Sequence, residues 1–159
     1  MRVTPSRRTD YALQAMIYLA SAERRRTAAP EIAEKMGLSV NYLRQVLRIL
    51  TRAQMVLSSP SRTGGYALAR PADEISILEI IEAMEGPLAP AECVLRDGPC
   101  HWEDVCPMHT TWSGALQALT KRLAESSLAA IAAADRALEL GQLAIPADAH
   151  RRQSRLRPA

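Results

Sequence analysis

Three cysteines stand in one short stretch, CVLRDGPCHWEDVCPMH, running from Cys93 to His109. Six residues separate Cys93 from Cys100, and five separate Cys100 from Cys106; His101 and His109 lie in the same stretch. Three thiols cannot all pair with one another. Thiolates are soft ligands, suited to iron–sulfur clusters and to zinc. Three of them leave one cluster iron with a fourth ligand that is not thiolate, and such a position is open to small molecules. Structural zinc sites use tighter pairs, about two to four residues apart, which this spacing lacks. A thiol-only redox switch is the third chemistry on offer. Gly98, Pro99 and Pro107 interrupt helix, so the stretch reads as a loop able to wrap around a cofactor.

The surroundings narrow the setting. The N-terminus, MRVTPSRRTDY, has no apolar run leading to a small-residue cleavage site, and no apolar run in the chain approaches the roughly 18 to 20 residues that span a bilayer. A cytoplasmic protein is expected, where thiols stay reduced and an odd, clustered cysteine count points to metal or redox chemistry. Charge is segregated. Residues 1–70 carry twelve Lys/Arg against four Asp/Glu, residues 71–140 four against twelve, and the last nineteen four against one. A basic first half beside an acidic second half suggests a polyanionic partner for the first alone.

The basic half carries a recognisable pattern. SRRTDYALQAMIYLASA has apolar residues at helical spacing. PEIAEKMG reads as a short helix with Pro30 in its first turn and Gly37 just past its end. Ser39 then caps a longer helix, VNYLRQVLRILTRA. Ile32, Met36, Leu38, Leu43 and Val46 would bury one face of two helices meeting at an angle, with small Ala33 where they approach. That is a helix-turn-helix. The exposed side of its second helix offers Ser39, Asn41, Tyr42, Arg44, Gln45 and Arg48. Arg and Gln can read base edges bidentately, while Ser and Tyr can hold phosphates. MVLSS and GYALA, joined by the turn residues PSRTGG, predict a hairpin, hence a wing whose tip residues Arg62 and Thr63 could enter a minor groove. Ser76 and Glu79 fit a capping box for ILEIIEAME, which Gly86 ends.

Beyond the cysteines the pattern is helical from about Thr110 to Leu140. Trp112, Leu116, Leu119, Leu123, Ala130, Ile131, Ala134 and Leu138 recur every three to four residues. Roughly thirty helical residues span about 45 Å, more than a small domain covers alone. The stripe is therefore expected to pack on a symmetry mate, which sets two recognition helices against a two-fold-related double-stranded operator. No nucleotide-binding loop, catalytic triad or closed metal set is recognisable, which weighs against an enzyme using the Cys/His loop for redox or hydrolytic chemistry.

MRVT…TDYALQAMIYLAS, EIAEKMGLSVNYLRQVLRIL, GGYALARPADEISILEIIEAMEG and AEC…C…CPMHTTW together resemble the winged-helix regulators that include the iron–sulfur cluster regulator IscR, the nitric oxide-sensing repressor NsrR and the iron regulator RirA. The resemblance runs from Met1 to about Ile131. It implies a homodimer with one iron–sulfur cluster per subunit, 4Fe–4S ahead of 2Fe–2S, held by Cys93, Cys100 and Cys106, and DNA binding governed by cluster state. TDYAL is similar to the nitric oxide sensors and implies Asp10 of the partner subunit as fourth ligand; His109, three residues after Cys106, is the alternative from the iron–sulfur cluster regulators. The family wing often has Arg-Gly where this chain has Pro60-Ser61, so the basic wing contact shifts to Arg62. The expected fold is mainly α with one small β-hairpin. A winged helix-turn-helix domain fills residues 1–86, a cluster-binding loop 87–109, a dimerisation helix 110–141 with Trp112, Leu116, Leu119, Leu123 and Ile131 at its interface, and a disordered basic tail 142–159. The function implied is a repressor sensing nitric oxide or redox state, with oxygen or iron status as the alternative signal.

Overall fold

The structure, a computed structural model, describes residues 4–22, 25–59, 64–88, 102 and 105–143. Helix α1 (Arg7–Ser21) starts where the Ser6 hydroxyl accepts the Thr9 N–H at 3.3 Å. Its buried face is Thr9, Tyr11, Ala12, Ala15, Met16 and Leu19. Helix α2 (Ala29–Met36) has Pro30 in its first turn and ends at Gly37, whose φ of 63° is the left-handed conformation that favours glycine. Ser39 caps α3 (Val40–Arg52) through the Tyr42 N–H. Helix α3 buries Leu43, Val46, Leu47 and Leu50, one face at i, i+3, i+4 and i+7. Pro30 and Gly37 at the ends of α2, the Ser39 cap and the burial of Leu43 and Val46 match what the residue types predict.

The wing is an antiparallel pair, β1 (Val56–Ser58) and β2 (Tyr66–Leu68), with Leu57 opposite Ala67. Thr27, just before α2, adds a further rung: its N–H reaches the Tyr66 carbonyl at 2.9 Å and its carbonyl accepts the Tyr66 N–H at 2.8 Å. The wing is therefore fastened to the helix-turn-helix at its root. Gly65 makes this close approach feasible, because a Cβ there would lie 2.6 Å from the Thr27 carbonyl oxygen. After a single 3₁₀ turn at Ala72–Glu74, Ser76 and Glu79 form the expected capping box of α4 (Ile77–Glu85). The Arg70 guanidinium binds Glu79 at 2.8 Å and the Glu74 carbonyl at 3.0 Å, tying the exit of the wing to the head of α4.

One expectation fails. The helical region after the cysteines is not continuous but two helices, α5 (Pro107–Glu125) and α6 (Leu128–Glu139). Ser127 caps α6 by accepting the Ala130 N–H. The break is held by long-range bonds: the Ile77 N–H donates to the Ser126 carbonyl at 2.9 Å, and the Leu128 N–H donates to the Ile75 carbonyl at 2.8 Å. Helix α6 then folds back on α1, with Leu128 fully buried and Ala132 buried. Of the five residues expected at a dimer interface, Trp112, Leu116, Leu119 and Leu123 lie on α5, whereas Ile131 lies on α6.

The core is aliphatic, built on Met16, Leu19, Ile32, Leu43, Leu47, Leu50, Ile75, Ile80 and Leu128. Among the described residues no helix is long and apolar enough to cross a membrane. Gly65→Ala should push the wing root away from Thr27 and destabilise the fold by about 1 to 3 kcal/mol, the usual range for overpacking. Urea unfolding at fixed protomer concentration measures this; an unchanged midpoint would show that the wing root gives way without cost.

Candidate nucleic-acid interface and metal centre

The amphipathic character of α3 decides which side chains remain outside. With Leu43, Val46, Leu47 and Leu50 turned into the core, Asn41, Arg44, Gln45, Arg48 and Arg52 are exposed and line one shallow groove with Ile49. The helix carries no Asp or Glu. Arg44, Arg48 and Arg52 make no ion pair among the described residues. Three guanidinium groups one turn apart repel one another. A polyanion laid along the groove would offset that repulsion. Ser39 is exposed at the head of the helix, but its hydroxyl is committed to the cap. Tyr42 departs from the expected exposed row: it is half-buried against the core, its ring edge-on to Tyr11 at 5.6 Å and 84°. Arg62 and Thr63, expected at the wing tip, lie outside the described residues. Arg52 was not among the residues expected to face DNA, although it continues the spacing of Arg44 and Arg48.

Of the expected metal ligands, Cys93 and Cys100 lie outside the described residues. Cys106 is the N-cap of α5; it is a half-buried free thiol, with its N–H donated to the Trp102 carbonyl at 2.8 Å. His109 stands one turn further on, half-buried. Trp102 and Val105, both 69% exposed, put an apolar rim beside Cys106. Asp10 is exposed on the first turn of α1 and accepts the Gln14 amide at 3.1 Å. Among the described residues no three metal-ligating side chains converge.

A bond that the sequence does not reveal fastens the first turn of α1. One Glu85 oxygen, at the end of α4, accepts the Ser6 N–H at 2.6 Å and the buried Thr9 hydroxyl at 2.5 Å. These two donors hold the Glu85 carboxyl below its usual value, Thr9 contributing most. Glu85 immediately precedes Gly86, after which the chain runs towards Cys93. The turn that presents Asp10 is thus attached to the end of α4, from which the sequence leads to Cys93.

A helix-turn-helix closed by a two-stranded wing, with an unpaired basic row on its second helix, is a winged-helix DNA-binding architecture. The model of the Rrf2 family, described as iron-dependent transcriptional regulator, matches residues 5–134, and the chain belongs to that family. Protein rrf2 of Nitratidesulfovibrio vulgaris is 34% identical over 99 residues, covering 62% of this chain and 66% of that protein. Protein aau3 of Rhizobium meliloti is 34% identical over 119 residues, covering 74% and 76%. Among solved structures, CymR (YrzC), the global cysteine regulator of B. subtilis, superposes with a TM-score of 0.72 at 30% identity, covering 84% of this chain and 98% of its own. IscR of T. potens gives 0.67 at 26% identity, covering 91% and 94%. The protein is therefore a transcriptional regulator by family rather than an enzyme, and the resemblance read from the residues is correct at that level.

Glu85→Gln should loosen the first turn of α1. The folded carboxyl lies below its usual value, so its contribution is complete above that value and is lost as pH falls through the lowered one. Thr9→Val should cost about 1 kcal/mol at neutral pH, the modest end because water reaches Glu85. Unfolding of wild type and Glu85→Gln across an acid titration should show a gap that closes at low pH. A gap independent of pH would assign the effect to something other than the carboxylate.

Proposed function

We propose that the protein is a homodimeric repressor that lays two α3 helices on a two-fold-related DNA operator, with its affinity set by an iron–sulfur cluster that senses nitric oxide or redox state. The observation that carries the DNA side is the unpaired row Asn41, Arg44, Gln45 and Arg48, presented on a helix whose opposite face is core. Regulators of this family bind DNA and are often dimers. The dimer is supported by α5: none of its 19 residues is buried, yet Trp112, Leu116 and Leu119 lie along it half-exposed.

The donor chemistry fits a cluster. Cys106 is a free thiol at the head of a helix with no side-chain cap, and the N–H groups of a first helical turn favour an anionic group. Cys93 and Cys100 complete a three-thiolate set, and Asp10 of the partner subunit supplies the fourth donor. A 4Fe–4S centre held this way would supply iron with one replaceable oxygen ligand, reactive towards nitric oxide and oxidants. The chain's own part is mechanical. Asp10, next to Tyr11 and one residue from the Thr9–Glu85 bond, is placed so that engaging or releasing its carboxylate bears on the first turn of α1. Two arrangements of that turn, differing in operator affinity, are what sensing requires. A second reading, iron or cluster status with His109 as fourth ligand, is favoured by one observation: His109 sits one turn from Cys106 in the same chain.

Protein made without oxygen should be brown, and Cys106→Ala should lose most of its iron. Asp10→Ala should keep the dimer and much of the iron, alter the absorption spectrum and uncouple cluster state from operator affinity, while His109→Ala does neither. Iron and sulfide counts, anaerobic spectra and gel shifts measure these effects. The converse pattern, with His109→Ala changing the spectrum and Asp10→Ala silent, establishes the histidine-ligated reading. A colourless wild-type protein holding only zinc removes the cluster altogether.

A further inference from the structure

The basic row on α3 runs to the last residue of the helix. Asn41, Arg44, Gln45 and Arg48 occupy two turns, and Arg52 continues the row one turn beyond Arg48, in the same groove. With a rise of 1.5 Å per residue, Asn41 and Arg48 are roughly 10 Å apart along the axis, about three base-pair steps, and Arg52 lies roughly 6 Å further on. A recognition helix meets base edges with its N-terminal part. A straight helix leaves the curved groove floor towards its other end, where the sugar–phosphate rim lies. Arg52 is the last helical residue, directly before the turn at Ala53 and Gln54 that leads into β1. It is exposed and makes no ion pair among the described residues. A lone cation at a helix C-terminus has an ordinary use in opposing the macrodipole. Here Arg52 also stands one turn from Arg48 and two from Arg44 in the same groove, with no acid on the helix to offset the row's mutual repulsion, which the dipole role alone leaves uncompensated.

We infer that Arg52 is a phosphate anchor at the rim of the major groove, and that base reading by α3 ends at Arg48, giving a half-site of roughly four base pairs under this helix. This rests on α3 being the recognition helix. Within that half-site the chemistry of the readers favours purines: Arg44 and Arg48 pair with guanine, Asn41 and Gln45 with adenine. Arg52 contributes affinity without sequence preference and fixes how far α3 slides along the groove.

The test uses the full chain, in whichever of its cluster-loaded and metal-free forms binds DNA more tightly. Two duplexes serve as probes: the tightest binder recovered by in vitro selection, and a scrambled duplex of the same composition. Arg52→Ala should weaken both by the same factor and lower the salt slope by about one. Arg52→Lys should restore the slope. Selection repeated with Arg52→Ala should return the same base preferences, whereas Arg44→Ala should relax one position and lose about ten-fold or more on the selected duplex alone. Circular dichroism should show all variants folded. Loss on the selected duplex only would make Arg52 a base reader, and unchanged slopes would leave it without a DNA contact; either result overturns the inference while the recognition helix stands. A wild-type chain that binds neither duplex removes the recognition helix as well.

Discussion

The packing of α1 is the constraint on which the other elements depend. Ala12 and Ala15 are fully buried on it and lack the bulk to hold neighbours away. Helices α2, α3, α4 and α6 and strand β2 all touch it. Close-packed cores transmit displacement rather than absorbing it. A shift of α1 therefore reaches the recognition helix directly, above all through Tyr11 and Tyr42, whose rings meet edge to face at the first turn of α3. Asp10 is the residue before Tyr11. In the proposed regulator, the fourth-ligand position and the first turn of the DNA-reading helix are separated by a single aromatic contact.

That placement gives Tyr42 a packing role as well. Its half-buried ring, braced edge-on against Tyr11, helps to orient α3. The exposed groups are the five that line the shallow groove, and their identity follows from the burial of the other face. Helix α3 has no freedom to present a different row, because turning it would draw Leu43 and Leu47, both fully buried, into water. Fully burying such a side chain stabilises by about 1.5 to 3 kcal/mol, so a rotation costs several times what any single surface contact returns.

Local features were legible in the sequence because their causes are local. The Ser39 cap, the left-handed Gly37, the Ser76–Glu79 capping box and the two short strands each follow from residues within a few positions of one another. What escaped the sequence is long-range. Thr9 and Glu85 are 76 positions apart, and no spacing rule relates them. The division of the last helical stretch is an intermediate case. Ser127 is an ordinary N-cap, but the apolar periodicity runs on from Leu123 to Ala130 and Ile131 and hides it; the bonds from Ile77 to Ser126 and from Leu128 to Ile75 decide the matter. The place of Arg52 is hidden for a different reason. At the end of a helix its charge has a local explanation, and although its spacing continues that of Arg44 and Arg48, it is the shared groove that puts the three on one surface.

The division into α5 and α6 gives the two helices different tasks. Helix α6 is part of the domain: Leu128 is fully buried, and Lys35 of α2 meets Glu139 at 3.7 Å. Helix α5, 19 residues and so roughly 28 Å long, leaves the same corner with no buried residue. If it pairs with its copy, as proposed, the orientation of each winged domain is set at that corner. The corner is bonded to residues 75 and 77, Glu79 follows on the same α4 turn, and Arg70 links Glu79 to the exit of the wing. A short chain of hydrogen bonds thus joins the base of the pairing helix to the wing root, while the opposite end of α4 holds α1 through Glu85. Half-sites on one face of DNA lie about 34 to 36 Å apart, one helical turn. Holding two recognition helices at that separation needs a defined angle between pairing helix and domain, and the two backbone bonds from Ile77 to Ser126 and from Leu128 to Ile75 fix that corner to the domain.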